Sequence, residues 1–393
     1  MLFYSRYQSE DPADFSAELT KMQACMMQYN EQPIHRKPYL YPLPDTMSYE
    51  ELRVALYRTI SSHATLQVMF KYDKHEQHYV QYVEYLPPLE QWQVPVVKIN
   101  MLPEMYIVTQ ESSISLLKGY PWRVKFLEHE EQRYLYIEFH AICLDDYSAK
   151  CFEDVLFRSL ISGFELQAGN LSSYRLLRNM EIISSKHIFS GRDAGLRGRG
   201  SKENKRMIAV TYSLTAEQLL VMRQIAKKYA VDIPVVYQLL VEQLLGYSYE
   251  GERYGIVENW RSTLRNYDEI GCFNYLSEEY VNVSTSLEGR LIALQLERKK
   301  RLEGELGTLG NRHDYSVMYC YEEELCQHFT EVQADQYCMY DLVLRVKRSQ
   351  NAAHIKLEYR QQSYTREQIQ QYVHRISAIL ERLRQQLLAS HAS

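Results

Sequence analysis

The chain has 393 residues, too many for one ordinary core and suited to two domains of ~150–200 residues each. Hydrophobic residues at 46% and charged residues at 24% match a soluble globular protein, and no run approaches the ~18 apolar residues that a membrane span requires. A formal net charge of −5 offers no basic field for a phosphate backbone, so neither nucleic acid nor membrane is an expected partner.

The cysteines, at 25, 143, 151, 272, 320, 326 and 338, are odd in number and show no CxxC spacing. That pattern predicts no metal site and no disulfide framework, but thiols in a reducing compartment. Met1-Leu2-Phe3-Tyr4-Ser5-Arg6 lacks the basic start and apolar core of a secretion signal, so a cytoplasmic location is expected.

Taken in chain order, periodicity predicts a helix over 49–60, a strand pair at 67–71 and 79–84 around a polar turn, and a strand over 122–127. Residues 133–140 alternate, with Leu135, Ile137 and Phe139 on one face and Tyr134, Tyr136, Glu138 and His140 on the other. A turn at Asp145-Asp146 follows, then a helix over 148–160 with Phe152, Val155, Leu156 and Ser159 at helical spacing. Residues 190–206, SGRDAGLRGRGSKENKR, hold four glycines and six Lys or Arg, and read as an interdomain linker. The expected division is therefore a lobe over 1–189 and a second over 207–393.

The second half opens with a strand over 207–213 and a helix introduced by Thr215-Ala216-Glu217-Gln218, a capping-box pattern in which the two side chains satisfy free amides. A helix after Asp232 carries Pro234 in its first turn. Strands at 341–347 and 353–359 flank Ser349-Gln350-Asn351, and a last helix starts at Thr365 with Gln368 as its capping partner. Its apolar stripe is Ile369, Val373, Ile376, Leu380, Leu383 and Leu387.

His140-Ala141-Ile142-Cys143-Leu144-Asp145-Asp146 lines up without a gap on the motif HHxxxDG, with Ala141 at the second His and Asp146 at the Gly. That motif belongs to the condensation domains of nonribosomal peptide synthetases, within the chloramphenicol-acetyltransferase-like superfamily, which this chain resembles at several ordered places. The segment from Ser62 to Phe70, SHATLQVMF, is similar to the family's RHxxLRTxF. Gly119-Tyr120-Pro121-Trp122-Arg123 resembles GPLxR, and the stretch from Ile256 to Arg261 resembles the segment ending in VSGR. Ile270-Gly271-Cys272-Phe273-Asn274 looks like IGxFxN, and Tyr340-Asp341-Leu342 looks like FDL.

The resemblance implies an α/β protein of two chloramphenicol-acetyltransferase-like lobes in a V, with an active site in the tunnel between them. It implies an acyl thioester on a phosphopantetheine arm, of a carrier protein or coenzyme A, as substrate, and no bound cofactor. In the family the second His orients or deprotonates the attacking amine or hydroxyl, a role suited to an imidazole. The methyl group of Ala141 has neither lone pair nor proton.

His140 stands at the first His, which supports the loop. Asp145 stands at the motif Asp, which pairs with an arginine of the second lobe, and Arg261 is the candidate; a local turn or capping role is the alternative. Asp146 adds bulk and charge where the family has Gly. Asn274, His313 and Tyr340 are the candidate tunnel residues of the second lobe, His313 by a loose match to HxxYPF. Cys143 is either a buried inert thiol or an acylable one.

Two readings follow. One is a free-standing acyltransferase of natural-product biosynthesis, acting in trans with an acyl or peptidyl carrier protein by a non-standard mechanism. The other is an inactive relative that docks a carrier, a synthetase module or a partner enzyme.

Overall fold

The computed structural model describes residues 16–27, 35–75, 77–109, 114–162, 207–249, 251–259, 261, 269–282, 286–303, 316–323, 326–332, 340–349 and 351–389. The linker expected over 190–206 and the candidate His313 lie outside the described residues. The chain divides into two compact units, Met1–Asn179 with Leu264–Phe273 and Leu325–Tyr337, and Met180–Thr263 with Asn274–Glu324 and Cys338–Ser393. The first unit is thus not simply the first half of the chain, because two segments of the second half fold with it.

In the first unit β1 (Ser16–Glu18) pairs antiparallel with β4 (His78–Val83), which pairs with β3 (Val68–Asp73). A five-stranded sheet runs β12 (Thr330–Glu331), β2 (Arg36–Pro42), β7 (Gln132–His140), β6 (Trp122–His129) and β5 (Val96–Lys98). Three helices join them: α2 (Tyr49–Ser61), α3 (Pro103–Thr109) and α4 (Asp146–Ser162), besides the short α1 (Lys21–Met27). Helix α2 starts because Ser48 accepts the Glu51 N–H while Glu51 reaches back to the Ser48 N–H.

The alternation of β7 holds, but both of its faces are covered. Leu135, Ile137 and Phe139 enter the main core with Phe152 and Leu156 of α4. Tyr136 on the opposite face packs with Leu40, Ile107, Leu127 and Val332, a second small core. Glu138 and His140 are consequently buried as well.

The second unit has one six-stranded sheet in the order β10 (Asn274–Tyr280), β9 (Arg253–Asn259), β11 (Val317–Glu323), β13 (Leu342–Arg348), β14 (Ala353–Arg360) and β8 (Met207–Ser213). Its core joins one face of that sheet to α5 (Ala216–Lys228), α6 (Ile233–Tyr249), α7 (Leu287–Leu302) and α8 (Arg366–Ala389). The predicted caps are present: Thr215 with Gln218 at α5, and Thr365 with Gln368 at α8. Of the α8 stripe, Ile369, Ile376, Leu380, Leu383 and Leu387 are buried and Val373 is partly so. Among the described residues no helix is long and apolar enough to cross a membrane.

Candidate functional site

The loop from β7 to α4 is built by its own polar groups. The His140 N–H donates to Pro121 O at 2.7 Å, and the Ala141 N–H donates to His35 O at 2.8 Å, extending the ladder one residue past the Arg36–His140 pair. The Ile142 N–H then donates to Nδ1 of His140 at 3.1 Å, fixing that nitrogen as an acceptor. Burial, reinforced by the neighbouring His35, holds the His140 pKa well below the usual imidazole range, so its ring is neutral. His35 and His140 meet edge to face, with ring centroids 5.8 Å apart.

Cys143 donates from Sγ to His140 O at 3.1 Å. Burial, with Cys272 nearby, pushes its pKa upward, so it stays a thiol and offers no thiolate nucleophile.

Helix α4 begins two residues before the predicted start, and Asp145 is the reason. Its Oδ1 accepts the Ser148 N–H at 2.7 Å, the third residue of the helix, so it acts as the N-cap. Its Oδ2 accepts the Phe273 N–H at 3.0 Å, and its own N–H donates to Gly271 O at 3.1 Å. The Ser148 hydroxyl donates to Gly271 O at 2.6 Å and accepts the Gly271 N–H at 2.8 Å. The Thr65 hydroxyl donates to Ile270 O. Three segments far apart in sequence, around Thr65, Asp145 and Gly271, are thereby clasped together within the first unit.

Gly271 is required by space. A Cβ placed there would lie 2.8 Å from the Phe273 ring, and Phe273 is wholly buried.

Asp146, at the motif glycine, takes part in α4 and forms an ion pair with Lys37 of β2; both side chains are mostly buried. Its φ is not in the left-handed region, so this position makes no demand for glycine in this chain.

Two further carboxylates brace the loop from either side. Glu138, two residues before His140, receives Arg36 Nε at 2.9 Å and Nη2 at 2.8 Å, Arg123 Nη2 at 3.0 Å and the Tyr136 hydroxyl. Burial alone would raise its pKa, but the two guanidinium groups outweigh that and lower it. Glu153, fully buried in α4, accepts the backbone N–H groups of Gln327 at 2.6 Å, His328 at 2.8 Å and Phe329. The Phe329 ring lies among Tyr39, Tyr41, Phe152 and Phe157, and Thr330–Glu331 adds an edge strand to β2.

The remaining candidates belong to the second unit. Arg261 is buried, and its backbone N–H donates to Asn259 Oδ1 at 3.0 Å. Asn274 opens β10 and accepts from Asn259 Nδ2 at 3.3 Å. Tyr340 is buried just before β13.

His35, Lys37, Glu138 and Glu153 escaped notice in the sequence as site residues. Each has at least one partner more than a hundred residues away, and no local pattern marks them. Among the described residues no group of three or more His, Cys, Asp or Glu is placed to hold a metal ion.

No family model matches the chain, and no curated protein matches it. Solved structures do. The X-domain from teicoplanin biosynthesis matches with a TM-score of 0.69 at 15% identity, over 93% of this chain and 94% of that one. The condensation domain of the monacolin K polyketide synthase MokA matches with a TM-score of 0.70 at 12% identity, over 93% and 98%. The epimerization domain from the third module of tyrocidine synthetase B matches with a TM-score of 0.68 at 13% identity, over 96% and 98%. A further match is the X-domain in its complex with OxyB. The chain therefore has a condensation-domain-like α/β fold.

Proposed function

We propose that this chain is an acyltransferase of the condensation type, working in trans in nonribosomal peptide or related natural-product biosynthesis. It takes an acyl group held as a thioester on the phosphopantetheine arm of a carrier protein or coenzyme A, and passes it to an amine or alcohol. The observation that carries this reading is the clasp at the β7–α4 loop. Asp145, Ser148, Gly271 and Thr65 hold the motif loop in one conformation through five hydrogen bonds to backbone groups of the 270–273 segment. Such preorganisation is what positioning two substrates demands, and positioning alone supplies a large part of the rate of a bimolecular reaction.

In this reading Asp145 keeps the loop in place through the Ser148 and Phe273 amides. Catalysis at the motif itself uses neither the neutral His140 nor the methyl group of Ala141.

A second reading is a docking protein on the same fold. It is favoured by Ala141 and by Asp146, which is tied to Lys37, and one of the similar structures is an X-domain in complex with OxyB. Purified protein incubated with fatty-acyl- and aminoacyl-loaded carrier proteins, plus amino acid amides and alcohols as acceptors, separates the two. Loss of the acyl group from the carrier with product formed, followed by intact mass, supports acyl transfer. Carrier binding without turnover across the panel selects the docking reading, and neither binding nor turnover removes both.

A further inference from the structure

We infer that β8 is a pairing edge, through which two copies of this chain join their six-stranded sheets into one continuous antiparallel sheet. This goes beyond the acyl-transfer reading and does not depend on it.

An open sheet edge offers unpaired N–H and C=O groups to any other strand, so proteins blunt such edges with short strands or charged side chains. Among the described residues, five of the six edge strands of the three sheets are blunted in these ways. β1, β5 and β12 have three residues or fewer. β3 carries Lys71 and Asp73, and β10 carries Glu278 and Glu279. β8 differs from all of them: its seven residues, Met207-Ile208-Ala209-Val210-Thr211-Tyr212-Ser213, include neither a charge nor a proline.

The ladder to β14 decides which backbone groups are on offer. The Leu214 N–H donates to Ala353 O at 2.9 Å, so by the alternation of an antiparallel pair Tyr212, Val210 and Ile208 bond to β14. The N–H and C=O groups of Met207, Ala209, Thr211 and Ser213 point the other way, and among the described residues none bonds to them.

The side chains are unfinished in the same direction. Ile208, Val210 and Tyr212 lie on the helix-covered face yet stay partly exposed, whereas their β14 partners Tyr359, Leu357 and Ile355 are buried. The opposite face of the strand presents Ala209, Thr211 and Ser213, which are small and exposed.

A second copy of the chain fits both features. Antiparallel pairing about a two-fold axis at Val210 sets Ala209 opposite Thr211 of the other copy and Met207 opposite Ser213, so the outward backbone groups of each strand meet those of the other. It also sets Val210 against Val210 and Ile208 against Tyr212, apolar against apolar on the helix-covered face, and brings no charge against a like charge. Each copy thereby covers the open rim of the other's core.

Sedimentation velocity on the full chain over a dilution series tests this, with Thr211→Pro and two double variants, Ala209→Lys with Thr211→Lys and Ala209→Glu with Thr211→Glu. The Thr211 N–H points outward, so proline removes a bond to the second copy and none to β14. Wild type is expected to be a dimer, and each variant to sediment at half its mass. Mixing the Lys and Glu variants should restore the dimer, because positions 209 and 211 of the two copies lie opposite each other and opposite charges pair there. A wild type that is monomeric at every concentration overturns the inference and leaves the edge to a strand of another protein. A dimer that persists in the double variants places the contact on another surface, which also overturns it. Loss of the dimer in the variants with no recovery on mixing assigns that loss to damage of the fold, and the inference falls with it.

Discussion

Asp145 and Phe273, 128 residues apart, are joined by a hydrogen bond of 3.0 Å from the Phe273 N–H to Oδ2, while the other oxygen of the same carboxylate caps α4 through Ser148. One side chain thus starts a helix and anchors a distant loop. Asp145→Asn keeps one acceptor oxygen and turns the other into a donor facing an N–H. The expected loss is about 1–3 kcal/mol, the usual cost of a buried group left unsatisfied. Denaturant unfolding with an unchanged slope would check it.

Gly271→Ala should cost about 1–3 kcal/mol by overpacking against the Phe273 ring. Combining it with Phe273→Leu vacates part of that space, so the double variant should lose less than the sum of the two singles. A double-mutant cycle in denaturant measures the coupling. Simple additivity would mean that the ring moves aside at no cost.

Glu153→Gln leaves one acceptor oxygen for the three backbone N–H groups of Gln327, His328 and Phe329. Amide hydrogen exchange at these positions should speed up by ~10-fold or more, since each ~1.4 kcal/mol of lost local stability is tenfold. Exchange in β13 and β14 should be unchanged.

Stability should also fall with acid in two windows. The pKa of His140 is depressed by burial and by His35, so the unfolded chain binds the proton first. The stabilisation is full above the ordinary imidazole value and declines as pH drops below ~6.5, by up to ~1.4 kcal/mol per pH unit. Glu138 is also depressed, by Arg36 and Arg123 acting against burial, so its contribution is present above the ordinary carboxylate value of ~4.3 and is lost as pH falls beneath it. His140→Gln should flatten only the upper window of a stability-against-pH curve, and a curve unchanged there would assign the acid sensitivity elsewhere.

Much of the fold could be read from the chain because the governing interactions are local. The capping pairs Thr215 with Gln218 and Thr365 with Gln368 act over three residues, and the alternation of β7 and the stripe of α8 repeat within a few turns or pleats. Helix α4 starts two residues earlier than its periodicity predicts, because Asp145 takes the capping role that the sequence offers as one of two alternatives, and only the direction of its carboxylate decides between them.

By itself, then, the sequence determined the α/β class, most element positions and the place of the loop that carries His140, Ala141 and Asp145, all of which depend on periodicity and residue type. Only the tertiary structure decided what that loop touches. It brought the 270–273 backbone onto Asp145 and Ser148, and Arg36 and Arg123 onto Glu138. It set Lys37 against Asp146 and His35 beside Ala141. The physical reason is that a carboxylate or hydroxyl accepts any backbone N–H equally well, so its partner is selected by strand register and chain path, which no residue type encodes.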